Sequence, residues 1–366
     1  MILLSSVIDQ FEADFLSTYQ GQILPDRRKA MNALKICRTQ FSPVMQISCA
    51  DCDNQRFVPH SCGHRNCPHC QHHESQVWIE NQLKKQLPCD YFMLTFTLPA
   101  QLRPLAKYHQ KLVYRLMFDS IWETLQSFSR NDRKLKGHPG MIAILHTHAR
   151  NLDYHPHIHT VMPAMVIDKL KKLVRTKGGG YLFNHKALAK VFQGKLLSKL
   201  AKEKLITPKA IPQKWIVNCK KVGSGGRALV YLGRYLYRGV IREKDILSVR
   251  DGKVTFRYQD SETKCWKTRT ETGAKFLWLI LQHVLPTGFR RARNFGFLHP
   301  NSKKMIKILL TLGKLDPKKM LAKIGHRQRP QMACTCCGGK MQVGRTRIPI
   351  AEIIRLKQDS QTLVPT

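Results

Sequence analysis

Two closely spaced pairs of cysteines restrict this chain more than any other feature of its sequence. Each pair has the Cys-x2-Cys spacing, and 14 residues separate the first pair, Cys49 and Cys52, from the second, Cys67 and Cys70. A tetrahedral zinc ion takes four thiolates from two tight turns, and this spacing supplies them. The four cysteines therefore predict one structural Zn²⁺ that stabilises a small module. The alternative is a set of buried free thiols.

Other cysteines and histidines leave room for a second metal site. Four more potential ligands lie in the same stretch: His60, Cys62, His64 and His69. They could replace one ligand of the first site or belong to another. Near the C-terminal end, Cys334 and Cys337 form a further Cys-x2-Cys pair. A single pair is half a zinc site, so a second zinc there requires ligands from elsewhere in the chain.

The balance of charge indicates a polyanionic partner. The chain carries 62 Lys and Arg residues against 24 Asp and Glu residues, a formal net charge of +38. This excess favours nucleic acid, because each phosphate that a cation neutralises releases a counterion. A chaperone-like protein or a basic protein of membrane surfaces is the alternative.

No segment of the sequence indicates export or membrane insertion. The apolar start at Met1 has no basic region, and acidic residues follow at Asp9 and Glu12. No apolar run approaches the ~20 residues that a membrane helix needs. We therefore expect a cytoplasmic protein without a membrane partner, in which cysteines bind metal rather than form disulfides.

The hydrophobic periodicity predicts an α+β fold with a mostly antiparallel sheet. Strands are expected at 91–98, 141–148, 155–162, 214–219, 246–250 and 254–258, and helices at 1–36, 74–87, 104–129, 186–204, 226–238, 272–284 and 301–313. Three parts follow from this pattern. They are an N-terminal helix with the zinc-binding module (1–85), a central antiparallel-sheet domain (86–295) and a basic C-terminal region with the last Cys-x2-Cys pair (296–366).

An alternation of histidines, His155-Pro156-His157-Ile158-His159, is the most informative stretch. Alternate residues of a strand share one face, so His157 and His159 form a rigid two-point clamp for a metal ion. The preceding strand carries His146 and His148. If His148 pairs with His157, all four side chains share a face, whereas a one-residue slip turns the first two away. The third ligand stays open among His148, His146 and His155.

Two tyrosines occur four residues apart in Tyr231-Leu232-Gly233-Arg234-Tyr235. On a helix they lie one turn apart on the same face. A phenolate is a competent nucleophile at phosphorus if its proton leaves and a cation takes up the developing charge. An amphipathic core helix with two buried aromatic residues is the alternative. Tyr237 falls on a different face.

Taken together, these motifs resemble the HUH endonucleases, named for His-hydrophobic-His, and among them the two-tyrosine rolling-circle transposases of the insertion-sequence 91 family. The order of the motifs carries the resemblance more than any one of them. The segments are Ser61-Cys62-x4-Cys67-Pro68-x-Cys70, Leu94-Thr95-Phe96-Thr97-Leu98-Pro99, His155-Pro156-His157-x-His159, Tyr231-Leu232-Gly233-Arg234-Tyr235, Gln282-His283-Val284-Leu285-Pro286 with Gly288-Phe289, and Cys334-x2-Cys337-Gly338-Gly339.

The resemblance implies an HUH-type nuclease domain that cuts and joins single-stranded DNA. A divalent ion, Mg²⁺ or Mn²⁺, on His157 and His159 would polarise the scissile phosphate. Tyr231 or Tyr235 would attack it, leaving a 5′-phosphotyrosine and a free 3′-OH. The expected partners are single-stranded element ends and target DNA, which Arg234 and Arg238 of the tyrosine helix would contact, in a protein associated with the bacterial nucleoid.

Three further expectations concern partners and rival functions. No Gly-x4-Gly-Lys-Ser/Thr motif is present, so unwinding would come from a host helicase and replication proteins. A plasmid replication initiator or relaxase would use the same chemistry, although the cysteine pairs and the 282–286 stretch favour the transposase. A non-enzymatic zinc-ribbon protein that binds nucleic acid would explain the charge and cysteines but not the paired histidines and tyrosines.

Overall fold

The computed structural model describes residues 2–168, 173–237, 239–302, 304–305, 309, 311, 331–349 and 351–352. Within them the helices are α1 (Leu4–Thr18), α2 (Pro25–Ile36), α3 (His72–Leu83), α4 (Arg103–Tyr108), α5 (Gln110–Asn131), α6 (His185–Lys202), α7 (Gly226–Leu236) and α8 (Gly273–Leu281). The strands are β1 (Val44–Cys49), β2 (Gln55–Pro59), β3 (Tyr91–Thr97), β4 (His138–His148), β5 (Tyr154–Pro163), β6 (Met165–Asp168), β7 (Leu173–Thr176), β8 (Val217–Lys221), β9 (Ile246–Arg250), β10 (Lys253–Gln259), β11 (Trp266–Thr272), β12 (Ala292–Gly296) and β13 (Met341–Val343).

A seven-stranded sheet occupies the middle of the chain. Its strand order is β7-β6-β4-β5-β3-β8, and β12 pairs with β4. The strand pairs of this sheet are antiparallel. The long hairpin of β4 and β5 lies at its centre, flanked by β3 on one side and by β6 and β12 on the other. Side chains on this hairpin are therefore held by paired strands on both sides.

Helices cover both faces of the central sheet. Helices α5 and α6 pack together on one face, over a core that includes Phe96, Phe118 and Phe192. Helix α7 lies on the other face, where it contacts β5, and α3 packs on α7. Successive residues of β4 alternate between the two faces, as Leu145 and Ile144 do. Burial on both faces accounts for the apolar character of the central strands.

A second core joins the N-terminal helices to a smaller sheet. Strands β9, β10 and β11 form an antiparallel sheet with the order β11-β10-β9. Phe256 of β10, Phe276 of α8 and Phe11 of α1 are buried together beneath it. Helix α1 therefore packs against α8, across the boundary expected at residue 85. The expected domain limits stay a prediction.

The N-terminal and C-terminal parts of the chain also meet in a third sheet. Strand β1 pairs with β2 on one side and with β13 on the other, and both pairs are antiparallel. Cys49 at the end of β1 lies opposite Met341 of β13. The last Cys-x2-Cys pair is thereby brought to the first one.

The α+β fold with antiparallel sheets is confirmed, as is the cysteine module near the N-terminus. The single helix expected over 1–36 is wrong, because α1 ends at Thr18 and α2 begins at Pro25. Leu24 is extended, since a residue before proline disfavours the helical region. The helix expected at 104–129 likewise divides into α4 and α5.

Several elements had no clear sequence signal, and one expectation could not be followed. Strands β1, β2, β6, β7, β11, β12 and β13 were not predicted. The helix expected at 301–313 lies mostly outside the described residues. Among the described helices, none is both long enough and apolar enough to span a membrane.

Candidate active site

Three histidines of the central hairpin come together on one face of the sheet. His146 of β4 lies opposite His157 of β5, and Ile144 lies opposite His159. The side-chain nitrogens that His146, His157 and His159 can offer to a metal lie within 4.8 Å of one another. These three residues share the face that α7 covers, because a strand repeats every two residues.

The pairing of His148 with His157 is wrong, and the structure explains why the shared face survives. His146 takes the position opposite His157, so the register differs by two residues and not by one. A shift of two keeps every side chain on its face. The pairing is irregular between His146 and His148, and His148 lies opposite Tyr154.

The hydrogen bonds of the three rings leave nitrogen atoms available to a metal. The Nδ1–H of His157 donates to the carbonyl oxygen of His155 at 2.7 Å, which leaves its Nε2 with a lone pair. Nδ1 of His159 lies 2.9 Å from the hydroxyl oxygen of Thr95. His146 is only 1% exposed, and its buried Nε2 has no hydrogen-bond partner among the described residues. An unpaired buried nitrogen facing two other imidazoles fits a metal ligand.

The protonation of these rings also suits metal binding. Burial lowers the pKa of His157 to about 4 and the pKa of His159 to about 3. Burial, with the neighbouring histidines as the next cause, lowers the pKa of His146 well below its ordinary value. Since a metal binds the neutral ring, all three are in the binding form at neutral pH.

The remaining histidines of the hairpin have other partners. His148, the first candidate for a third ligand, lies outside the cluster, and its Nε2 is 2.9 Å from the hydroxyl of Tyr235. Nδ1 of His155 accepts a hydrogen bond from Arg103 at 2.7 Å. Of the three alternatives that the sequence left open, His146 is the one whose side chain lies together with those of His157 and His159.

Both tyrosines of α7 face the histidines. The ring of Tyr235 stacks on His146 with centroids 3.4 Å apart, and the ring of Tyr231 lies 6.3 Å from that of His159. The two tyrosine rings are 6.4 Å apart, as expected one helical turn along a common face. Partial burial raises the pKa of Tyr231, an effect that the positive charge of Arg150 opposes.

Gly233 determines which face of α7 the tyrosines occupy. A Cβ on Gly233 would lie 2.3 Å from the side chain of Ile79 on α3, so only glycine permits the helices to pack this closely. The Ser75 hydroxyl of α3 also donates to the Gly233 carbonyl. With that face against α3, the opposite face points its tyrosines at the sheet.

The histidines and tyrosines line one cleft of about 740 Å³, called here the His–Tyr cleft. Its far wall is formed by residues from 239–266. Arg234 is exposed and lines a neighbouring cleft of about 660 Å³, with Arg227 and both tyrosines. Arg238, the other arginine expected to contact DNA, lies outside the described residues.

Several residues support the site in ways that the sequence did not predict. Arg291 is buried, lies 5.7 Å from the ring of Tyr235, and donates to the Leu145 carbonyl. Gln282 and His283 both bond to the carbonyl of Leu152 in the turn between β4 and β5. The 282–286 motif included Gln282 and His283 but did not indicate that they bind the Leu152 carbonyl. No motif of the sequence analysis included Arg291.

The cysteines form two groups of four rather than the single group expected. Cys67 and Cys70 lie with Cys37 and Cys62, in what we call the N-terminal cluster. Cys49 and Cys52 lie instead with Cys334 and Cys337, in what we call the bridging cluster. The expected set of Cys49, Cys52, Cys67 and Cys70 is therefore wrong as a single site. The reason is non-local: β13 pairs with β1 and places the late pair beside Cys49.

The spacing of the sulfur atoms is similar in both clusters. In the N-terminal cluster, Cys37 lies 3.5 Å from both Cys67 and Cys70. In the bridging cluster, Cys49 lies 3.4 Å from Cys337 and Cys52 lies 3.8 Å from Cys334. Zinc–sulfur bonds of about 2.3 Å in a tetrahedron put the sulfurs about 3.8 Å apart. Each cluster is therefore compact enough for one zinc ion.

Comparisons with known proteins agree with this arrangement. The family model "Putative transposase" matches residues 140–305, and the model "Transposase zinc-binding domain" matches residues 7–98. "Putative transposase y4qJ" of Sinorhizobium fredii is 30% identical over 296 residues, covering 74% of each chain. "Transposase for insertion sequence element IS801" of Pseudomonas savastanoi pv. phaseolicola is 28% identical over 290 residues, 72% of this chain and 68% of that protein. No solved structure matches.

By these matches the chain is a transposase: the zinc-binding domain match covers the first cysteines, and the transposase match covers the histidine hairpin and the tyrosine helix. The chain belongs to the insertion-sequence 91 family of transposases, as its motifs indicated. Its N-terminal part is a zinc-binding domain, and its macromolecular partner is DNA.

Proposed function

We propose that this transposase nicks and rejoins single-stranded DNA through a covalent tyrosine intermediate formed in the His–Tyr cleft. The observation that carries the proposal is the convergence of three neutral histidines and two tyrosines in one cleft of a basic chain. A replication initiator or relaxase with the same chemistry, and a non-enzymatic zinc-ribbon protein, are both disfavoured by the transposase matches.

In the proposed reaction, a tyrosine oxygen attacks the scissile phosphorus in line. The bond between phosphorus and the 3′ oxygen breaks, which gives a 5′-phosphotyrosine and a free 3′-OH. His148 is positioned to accept the proton of the Tyr235 hydroxyl, 2.9 Å away. A 3′-OH attacks the phosphotyrosine in the reverse step, so joining needs no nucleotide cofactor. Two tyrosines allow one strand end to be held while another is cut.

The residues that would hold a catalytic metal are His146, His157 and His159. A divalent ion bound there would supply positive charge to the oxygens of the scissile phosphate. The protein keeps the ligand rings in place through the Thr95 hydroxyl and the His155 carbonyl. Unwinding would be left to a host helicase and replication proteins.

The direct test is a denaturing gel of the full-length protein with labelled single strands that span the DNA flanking its reading frame. We expect a slowly migrating protein–DNA band with strands labelled on the 3′ side of the cut, and a free 3′-OH on the other fragment. The proposal would be overturned if none of these strands formed an adduct with any of the divalent ions tested.

The all-nitrogen ligand set predicts a preference among divalent ions. Mg²⁺ prefers oxygen ligands and loses its water reluctantly, whereas imidazole nitrogen suits transition-metal ions, of which Mn²⁺ is the weakest binder in the series that rises through Fe²⁺ and Co²⁺ to Ni²⁺. We therefore expect faster cleavage with Mn²⁺ than with equimolar Mg²⁺, measured as initial rates of adduct formation. Faster cleavage with Mg²⁺ would argue for oxygen ligands that join the three histidines.

We also propose that each cysteine cluster binds one structural zinc ion. Elemental analysis of the folded protein should then give about two zinc ions per chain. Cys337→Ser should lose the zinc of the bridging cluster and keep the other. Cys67→Ser should impair folding, because Cys67 is buried in the N-terminal core.

Cys336→Ser is the matched control for this measurement. Cys336 lies between the two late ligands but is exposed and belongs to neither cluster, so its variant should keep both zinc ions. If the wild type contains one zinc ion per chain and Cys337→Ser contains the same amount, the bridging cluster does not bind metal.

A further inference from the structure

The small sheet of β9, β10 and β11 forms one wall of the His–Tyr cleft. The residues of this wall have no role in the proposed chemistry. Arg150, Arg257, Gln259 and Trp266 line the cleft together with the histidines and tyrosines. The buried face of the small sheet packs on α8 through Phe256. Its other face, which carries Arg257 and Trp266, is available to a ligand in the cleft.

Trp266 is an unusual residue for such a position. It begins β11, an edge strand of the small sheet, and is 54% exposed. It lies opposite Gln259 of β10, and the guanidinium of Arg257 lies 4.9 Å from its ring. A half-exposed tryptophan beside a cation at the edge of a functional cleft is the arrangement with which proteins stack nucleic-acid bases.

Hydrogen bonds join the wall to the turn of the histidine hairpin. Arg150 of the turn between β4 and β5 donates to the Gln259 side chain at 2.8 Å. Arg269 of β11 donates to the Asn151 carbonyl and to the Asp153 carboxylate of the same turn. These contacts fix the position of Trp266 relative to the histidines, so a strand bound by both would be held in one register.

The charge of the cleft favours a polyanion. Its described lining contains three arginines, Arg150, Arg242 and Arg257, against one carboxylate, Asp245. Arg242 and Arg257 share that carboxylate, with Arg257 Nε at 3.1 Å from Asp245 Oδ1. One negative charge is therefore divided between two cations, and the wall stays positive.

We propose that this wall binds the unpaired nucleotides next to the scissile phosphate, with one base stacked on Trp266 and the backbone along Arg257 and Arg150. The ligand is single-stranded DNA because the face of a base is open to a tryptophan only when the base is unpaired from its helix. The proposal rests on the proposed function for the location of the scissile phosphate. Binding itself does not depend on catalysis.

The test measures binding by the full-length protein without added divalent ions, using fluorescence anisotropy of labelled oligonucleotides. Trp266→Ala should weaken binding to a single strand by roughly tenfold, the effect of losing one stacked base. Trp266→Phe should retain most of the affinity, since it keeps an aromatic face. Binding to the corresponding duplex should change less than about twofold, because duplex binding is mainly electrostatic.

Tyr108→Ala is the matched control, because Tyr108 is an aromatic residue 84% exposed that does not line the cleft. Its variant should bind both DNAs as the wild type does. Wild-type affinity of Trp266→Ala for single strands, or an equal loss on single strand and duplex, would overturn the inference. If the affinity for single strands depends on Trp266 but the protein forms no covalent adduct, the proposed chemistry is refuted. The proposal that the wall binds single-stranded DNA then stands.

Discussion

Replacement of His157 or His159 by alanine is expected to reduce DNA cleavage by more than about 100-fold while single-stranded DNA still binds. Loss of a residue that hydrogen-bonds to a metal ligand already lowers metal affinity or activity by about 10- to 100-fold. His157 and His159 are direct ligands in our proposal, so their loss should cost more. Binding depends mainly on the Lys and Arg residues, which the substitutions leave in place. Adduct yield on denaturing gels and anisotropy of the same oligonucleotide measure the two properties separately.

His138→Ala is a suitable control, since His138 begins the same β4 strand at the end opposite His146. The His138→Ala variant should cut DNA as the wild type does.

Calorimetric titration with Mn²⁺ tests whether His146 or His148 is the third ligand of the proposed metal site. His146→Gln should weaken Mn²⁺ binding, whereas His148→Gln should leave it nearly unchanged. Undiminished nicking by the double variant His157→Ala, His159→Ala would refute the metal site.

The histidine site shows which part of a site local sequence can predict. Alternation along a strand determined that His157 and His159 share a face, because that property depends on the period of two alone. The partner of each histidine depends on the length and shape of the turn, and here the observed pairing differs by two residues from the expected one, with a further irregularity between His146 and His148. The sequence therefore limited the third ligand of the proposed metal site to three candidate histidines and could not decide among them.

The cysteines show the same limit over a longer distance. Each Cys-x2-Cys spacing predicted a knuckle correctly as a local turn, yet the grouping of knuckles depends on which strands pair. Strand β13 is only three residues long, from Met341 to Val343, too short to give a recognisable pattern. Its pairing with β1 nevertheless decides that Cys334 and Cys337 join Cys49 and Cys52.

The third strand of the cleft wall, β11, had no sequence signal for a different reason, although β9 and β10 were expected from the sequence. Strand β11 alternates charged and hydroxyl residues and lies at the edge of its sheet, so it lacks the apolar run by which the central strands were recognised. The buried Arg291 is also invisible in the sequence, since it stands among other arginines of a basic segment. Only the fold distinguishes an arginine that lies beside the ring of Tyr235 from those facing solvent.

The second large effect is expected from the tyrosines of α7. The double variant Tyr231→Phe, Tyr235→Phe should form no covalent adduct, because both attacking oxygens are gone. Each single variant keeps one nucleophile and should still form some adduct. The fold should persist, since the rings remain. Tyr231→Phe should hardly change the free energy of unfolding, and Tyr235→Phe should lower it by about 1 kcal/mol through loss of the hydrogen bond to His148.

Tyr237→Phe provides the matched control, because Tyr237 caps the end of the same helix and does not line the His–Tyr cleft. Its variant should form adduct as the wild type does. If the tyrosines of α7 were only packing residues, removal of their hydroxyls would leave cleavage intact. A slowly migrating band that persists in the double variant would therefore show that neither Tyr231 nor Tyr235 is the nucleophile. Loss of that band on adding Tyr237→Phe would then transfer the role to Tyr237.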